Sequence, residues 1–302
     1  MEARYQSLSI FEIQQKFPNE DACMRFLAEK KWSAGYQCRK CGHAHYCNAT
    51  RTHDRQCSSC NYIESPTAGT VFHKVKFPLV KAFYIVYYLS TSKKGIASTE
   101  LSRKLELRQK TCWLFKRKVM EAMKSSGRYP MEGTVEVDEF VVGGQETGVK
   151  GRKNKKKQLV VVAVERKGKG ASRMYAKVIP SAGSKQLKPF MQAHIKPNAS
   201  IRTDGWAGYA PLRKDFKKLV QEKSGTKGQN FALLHRVIMG FKGWLRGIHH
   251  HANHLQAYLD EYCFRFNRSF MKEGAFENLL DRTVSTSPKT YLQLRAPYFV
   301  NA

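Results

Sequence analysis

Four cysteines stand as two Cys-x-x-Cys pairs, Cys38 with Cys41 and Cys57 with Cys60, with 15 residues between the pairs. Four thiolates at that spacing can close a tetrahedron around one ion, as in a zinc ribbon. Two disulfides are the competing reading, but nothing else in the chain points to an oxidising compartment. The expectation is therefore structural Zn²⁺ on Cys38, Cys41, Cys57 and Cys60. Cys23, Cys47, Cys112 and Cys263 are scattered without pairing logic. Cys47, His43, His45 and His53 fall inside the ribbon, and the regular knuckles leave them as bystanders.

The second chemical signal is a pair of acids, Asp138 and Asp204, each at the end of an apolar run. Residues 134–142 alternate and β-branch as a strand does, and 159–164 and 174–179 follow as two more. A helix over 185–194 leads to a fourth strand at 200–204, a short fifth at 218–221, and helix from Phe231 to Phe266. Three strands, a helix, two strands and then helices is an RNase H-like order, an α/β mixed sheet flanked by helices. In that sheet the first and fourth strands are neighbours, so Asp138 and Asp204 face one another. Carboxylates so placed repel unless a divalent cation lies between them, and two Mg²⁺ ions there would serve phosphodiester chemistry. An acid at a strand end is more often a turn residue or a helix cap. Here the pairing, the strand order and the basic background favour catalysis.

Those strands need elements to present them to a substrate. Residues 8–31 read as helix, the ribbon runs from about Trp32 to Phe72, and 79–89 is a buried helix too short to cross a membrane. A helix capped by Ser98, with Leu101 and Leu105 one turn apart, breaks at 106–108 before a second helix over 109–123. The pair reads as a helix-turn-helix with Lys110, Lys116, Arg117 and Lys118 available to a groove, or as an ordinary helical linker with a solvated charged face. The expected division is 1–74 for the helix and ribbon, 75–127 for the helical segment, 128–270 for the catalytic sheet and 271–302 for a C-terminal tail.

Composition narrows the partner. Lys and Arg total 53 against 24 acids in 302 residues, a formal charge of +29, while 42% hydrophobic residues permit a core. That surplus favours a polyanion through counterion release, although it supplies affinity without specificity. Six cations occur in the eight residues 150–157, a solvated loop that also contacts phosphate. No signal-like segment or membrane-length apolar run appears, which places the protein in the cytoplasm or on the nucleoid, with no membrane and no small-molecule substrate.

Several blocks together resemble the insertion-sequence transposases that join a zinc ribbon to an ISXO-type DDE domain. They are Phe17-Pro18-Asn19-Glu20 with Cys23, Leu27 and Trp32, both knuckles, Ala68 to His73, and Pro78-Leu79. Val137-Asp138-Glu139 with Gly143-Gly144 is similar to the family's first catalytic strand, and Thr203-Asp204-Gly205-Trp206 with Gly208-Tyr209 to the second. The match closes with His254-Leu255-Gln256, Tyr258 to Tyr262 and Phe264 to Arg268. The resemblance implies an enzyme that binds terminal inverted repeats, nicks DNA and transfers 3′-ends to target DNA. It would use Mg²⁺ or Mn²⁺ on Asp138 and Asp204, and holding two ends together implies a homo-oligomer on the DNA.

The resemblance also implies a third metal-site residue, usually Glu or Asn, on the helix after the fifth strand, with a basic residue nearby. Aligning on His235-Arg236, Lys242, Trp244-Leu245 and Gly247 puts it near Gly240, and no acid occurs between Glu222 and Asp260. The candidates are His235, Asn230 and Glu261, with Lys242 as the basic residue facing the scissile phosphate or as one more surface cation. Imidazole is a poor Mg²⁺ ligand but acceptable for Mn²⁺. A catalytically inactive or co-opted zinc-ribbon DNA-binding protein is the alternative. His249-His250-His251 with His254 offers a second metal reading, through His250 and His254 one turn apart, but reads better as a polar patch.

Overall fold

A computed structural model describes residues 8–92, 94–143, 157–249, 253–269, 271 and 274–295. Gly144, the cationic stretch 150–156, His250 and His251 lie outside the described residues. The chain divides into two compact units. Residues 1–123 and 271–296 form one, and residues 124–270 with 297–302 form the other.

In the first unit the expected single helix over 8–31 is two, α1 (Ile10–Lys16) and α2 (Glu20–Lys31). Pro18 has no N–H for a continuing helix, and each new start is capped. Ser9 and Glu12 form a reciprocal capping box on α1, and Asn19 Oδ1 accepts from Ala22 N–H at 2.9 Å on α2. The ribbon follows as three short antiparallel strands, β1 (Tyr46–Asn48), β2 (Arg55–Cys57) and β3 (Ile63–Glu64). Next come α3 (Leu79–Thr91), α4 (Ser98–Leu105) and α5 (Gln109–Met123). Ser98 is the first residue of α4 rather than its cap; Ala97 takes the cap position, and Ser98 Oγ instead accepts from Gln109 Nε2 at 2.8 Å.

The α4–α5 pair has the expected short turn, closed by Glu106 at φ 52°. Its basic face is partly spent inside, however. Lys116 and Arg117 are 4% and 3% exposed, and they donate to the carbonyls of Ile96 and Leu294. Burying a cation requires such partners, so of the four expected groove cations these two are withdrawn from any groove.

The second unit carries the five-stranded sheet. Its elements are β4 (Thr134–Gly143), β5 (Lys157–Lys167), β6 (Gly170–Ile179), α6 (Ser184–His194), β7 (Ser200–Thr203), β8 (Leu219–Gln221), α7 (Ala232–Ile248) and α8 (Leu255–Asn267). The strand order is β6-β5-β4-β7-β8, with the β4–β5 and β5–β6 pairs antiparallel and the β4–β7 and β7–β8 pairs parallel. This is the RNase H-like topology expected from the strand sequence. Val135, Val137, Val161, Ala163 and Ile201 face one side, where they bury against Leu187, Phe190 and Met191 of α6. Strand alternation sends Glu136, Asp138 and Phe140 to the other side, where α7 covers β4 and α8 covers β6.

The chain then returns to the first unit. Residues 271–302, expected as a tail, hold α9 (Gly274–Ser285) and α10 (Tyr291–Arg295). The reason is an apolar stripe, Phe276, Leu279 and Leu280, each at most 1% exposed. Phe276 meets Phe17 and Tyr87 edge-on at 6.3 and 6.0 Å, and Lys16 bonds Glu277 at 2.5 Å. No described helix is long and apolar enough to cross a membrane. Phe276→Ala should cost the first unit about 3–5 kcal/mol. The check is a lower urea midpoint for that unit with an unchanged transition for the sheet.

Candidate functional site

The metal centre is built by two tight turns. After each knuckle the chain needs a left-handed residue, and Gly42 (φ 77°) and Asn61 (φ 58°) supply it. Gly42 N–H donates to Cys38 O at 2.8 Å and Asn61 N–H to Cys57 O at 3.0 Å, which folds each Cys-x-x-Cys back on itself. The sulfurs of Cys38, Cys41, Cys57 and Cys60 all lie within 4.8 Å of one another, and Cys38–Cys60 and Cys41–Cys57 are each 3.6 Å apart. Tetrahedral zinc with bonds of about 2.3 Å would set its sulfurs about 3.8 Å apart, so the four thiols fit that ion. Burial works against ionising Cys38, but the Cys41 and Lys40 N–H groups aim at its sulfur and bring it down to about 6. Among the described residues no other group of three or more His, Cys, Asp or Glu ligand atoms gathers this closely.

The acid pair follows from the sheet register. β4 pairs with β7 in parallel up to Val137 opposite Thr203, so the next residue on each is an acid. Asp204 lies just past the end of β7. Asp138 lies midway along β4 rather than at a strand end as expected, because β4 continues against β5 to Gly143. Neighbouring strands lie about 4.8 Å apart. Asp138 Oδ1 accepts from Glu139 N–H at 2.7 Å, and Asp204 Oδ1 accepts from Trp206 N–H at 3.0 Å. Both side chains are half-buried. Beneath them lies Tyr209, fully buried; burial first, then the carboxylates of Glu139, Asp138 and Asp204, holds its phenol protonated well above the usual range. Trp206, 42% exposed, is fixed beside the pair by its indole N–H donating to Ala182 O at 2.8 Å.

Helix α7 sets what faces the acids. His235 Nε2 stands 3.7 Å from Asp138 Oδ2. That is too long for a hydrogen bond, and two donors on one octahedral ion lie about 3 Å apart. Lys242, two turns further on the same stripe, holds its ammonium 5.3 Å above the Phe140 ring. Burial, then Lys157 and Arg246, lowers its pKa, so the three cations form one cluster.

The other candidates are elsewhere. Asn230 Nδ2 donates to Lys223 O at 2.8 Å and closes the loop before α7. Gly240, where alignment put the third residue, faces α8; a side chain there would start 3.0 Å from the Tyr262 hydroxyl. Glu261 is not brought to the acid pair. It is fully buried on α8, which lies over β6, and it pairs with Arg265 at 2.8 Å and His249 at 3.6 Å. His249 itself stacks on Tyr258 at 3.8 Å, so it packs into the α7–α8 corner rather than forming a surface patch.

One residue essential to this geometry escaped the sequence reading. Glu136, 0% exposed, accepts from Arg166 at 2.9 Å, Arg202 at 3.2 Å and the Leu234 N–H at 3.3 Å. It therefore ties β4 to β5, β7 and the first turn of α7, one residue before His235. Its signal was available: an acid two before Asp138 on the same strand face, between valines.

Two family models match the stretches that contain these residues. Residues 18–63 match the transposase zinc-ribbon domain and residues 130–267 match the ISXO2-like transposase domain. Together these span more than half of the chain. It belongs to the zinc-ribbon, ISXO2-like transposases. No curated protein sequence matches this transposase significantly. Among solved structures, the Mos1 transposase paired-end complex with left transposon end aligns at 12% identity. It covers 67% of this chain and 78% of its own, with a TM-score of 0.23. A pre-cleavage Mos1 transpososome aligns at 11%, over 68% and 78%, with a TM-score of 0.21. Both overlaps are too loose to bear on fold or function.

Two outcomes follow for the transposase. Because structural zinc supplies folding energy locally, chelation should melt the ribbon and leave the five-stranded sheet folded. Hydrogen exchange read separately for 38–64 and 134–179 checks this, and one cooperative loss would contradict it. Glu136→Ala removes the buried acceptor shared by Arg166, Arg202 and the Leu234 N–H, although Arg202 keeps Glu222. It should cost about 1–3 kcal/mol, measured by urea unfolding of the second unit.

Proposed function

We propose that the chain is a metal-dependent DNA strand transferase that binds the terminal inverted repeats of its element, nicks them and joins the 3′-ends to target DNA. The observation that carries this is the β4–β7 register, which sets Asp138, midway along β4, beside Asp204, just past the end of β7. Asp138, Asp204 and His235 would hold the divalent cations. When bound, such ions activate the attacking oxygen and stabilise the leaving one. His235 is the third ligand because it alone among the candidates faces Asp138, and an imidazole in the set favours Mn²⁺ over Mg²⁺.

The protein's own contribution is positioning. The Glu136 network holds α7 against β4, and Lys242, Lys157 and Arg246 offer charge to the phosphates of the strand being cut. The ribbon within 1–74 and the helical segment within 75–127 hold the element ends, while 128–270 does the chemistry. Joining needs two ends at once, so the working form is a homo-oligomer on DNA, in the cytoplasm at the nucleoid.

The test is nicking and strand transfer on DNA carrying the element's own flanking repeats. Asp138→Asn and Asp204→Asn should each abolish cleavage without changing duplex binding, and Lys242→Ala should slow it by roughly 10²–10³. His235→Ala should behave as the Asp variants do, and His235→Glu should move the preferred ion from Mn²⁺ towards Mg²⁺. Glu261→Gln should lower stability and spare the chemistry. Equal nicking by Asp138→Asn would sink the assignment. Sequence-specific binding without cleavage in any metal would make the chain a DNA-binding protein alone.

A further inference from the structure

The block Ala68 to His73 takes no part in either centre, yet it is built rigidly. Lys31 Nζ, paired with the fully buried Glu64 at 2.7 Å, donates to Ser65 O at 2.9 Å and Ala68 O at 2.7 Å. Thr70 Oγ1 donates to Thr67 O at 2.8 Å and accepts from Phe72 N–H at 3.1 Å. Val71 N–H donates to Thr283 O at 3.0 Å, which anchors the loop to α9.

The loop presents bare backbone to a cation. Gly69 has φ 77°, and a Cβ there would run into the Arg39 guanidinium. The Arg39 guanidinium therefore occupies the space that a Gly69 side chain would fill, with its Nε 3.8 Å from Glu64. Arg39, Lys40, Tyr62, Gly69, His73 and Pro288 line an open cavity of about 390 Å³. The local potential is positive: burial first, then Lys74, Arg39, Lys118 and Lys31, lowers the His73 pKa. The nearest acid, Glu64, is already taken by Lys31.

We propose that this cavity holds a phosphate of the DNA backbone, with Arg39 and Lys40 as its charged partners and Gly69 as the seat that aims the guanidinium. The Arg fork matches two phosphate oxygens, and such contacts position a protein on a duplex without reading its sequence. The proposal rests on the DNA-binding part of the proposed function. Its rival is that Arg39 and Lys40 merely offset the charge of four thiolates on one zinc ion.

The experiment measures duplex affinity by fluorescence anisotropy across a salt series, using the zinc-loaded full chain with Asp138→Asn so that nothing is cut. Arg39→Gln and Lys40→Gln should each weaken binding roughly fivefold at 0.1 M salt and reduce the salt slope by about 1, equally on specific and random duplexes. Gly69→Ala keeps every charge but unseats the guanidinium, and should weaken binding with full zinc content. Lys188→Gln removes an exposed cation from the second unit, where Lys188 pairs with Asp215, and should leave the slope unchanged. Unchanged slopes for Arg39→Gln and Lys40→Gln, or weakened binding only in step with zinc loss, would overturn the proposal. A parent that binds no duplex would instead overturn the DNA-binding reading itself.

Discussion

The Glu136 carboxylate has no access to solvent, and four pieces of the second unit meet at it. Arg166 reaches it from β5, Arg202 from β7, and the Leu234 N–H from the start of α7. A buried acid is costly unless its lone pairs are met by good donors. Here two guanidiniums and a helix N-terminus meet them, and the positive end of the helix adds a favourable field. The consequence is geometric. A residue two ahead on the same strand face, Asp138, and a residue one ahead on the helix, His235, inherit their separation from this joint. Arg202 also reaches Glu222 at 2.9 Å and the Asn230 carbonyl at 3.2 Å, so the loop leading into α7 is held by the same network.

The first unit solves a smaller version of the same problem. The ribbon has too little apolar surface to stand without metal, and its largest side chains, Trp32, Tyr36 and Tyr46, gather around Arg55 at 4.2, 5.9 and 3.9 Å. A cation stacked between rings lets a three-stranded module expose charge while keeping a partial core. Buried Glu64 with Lys31 then joins the ribbon to α2 and to the 65–73 loop. Large positive charge is thus carried on a scaffold in which buried Glu64, Glu136 and Glu261 each pair with a structural cation.

What could be read in the sequence was whatever had a short period or a short spacing. The knuckles at Cys38 and Cys57, the strand order and the adjacency of the strands that carry Asp138 and Asp204 followed from patterns a few residues long, whereas the extension of β4 beyond Asp138 to Gly143 did not. The rest depended on helix phase and on partners far away in the chain. Gly240 and His235 are five residues apart, and in an α-helix that turns an aligned position from β4 towards Tyr262. Glu261 became a candidate because no acid occurs between Glu222 and Asp260, and only the packing of α8 on β6 shows it to be buried. Lys116 and Arg117 looked like groove cations because the carbonyls that take them, Ile96 and Leu294, are not neighbours in sequence. Residues 271–302 looked like a tail because a stripe of three apolar residues shows no partner until Phe17 and Tyr87 are in place.

The first unit is assembled from both sides of the second. Lys16 meets Glu277 across 261 positions, and the rings of Phe17 and Tyr87 wait for Phe276. During synthesis the whole five-stranded sheet leaves the ribosome before α9 does. Domains fold as they emerge, so the sheet closes on itself early while the ribbon-bearing unit keeps an open apolar face until α9 is made. A chain that stops before α9 is therefore an unfinished ribbon-bearing unit attached to a finished five-stranded sheet. Assembly of the ribbon-bearing unit is thus timed by the synthesis of a helix that follows the entire sheet in the chain.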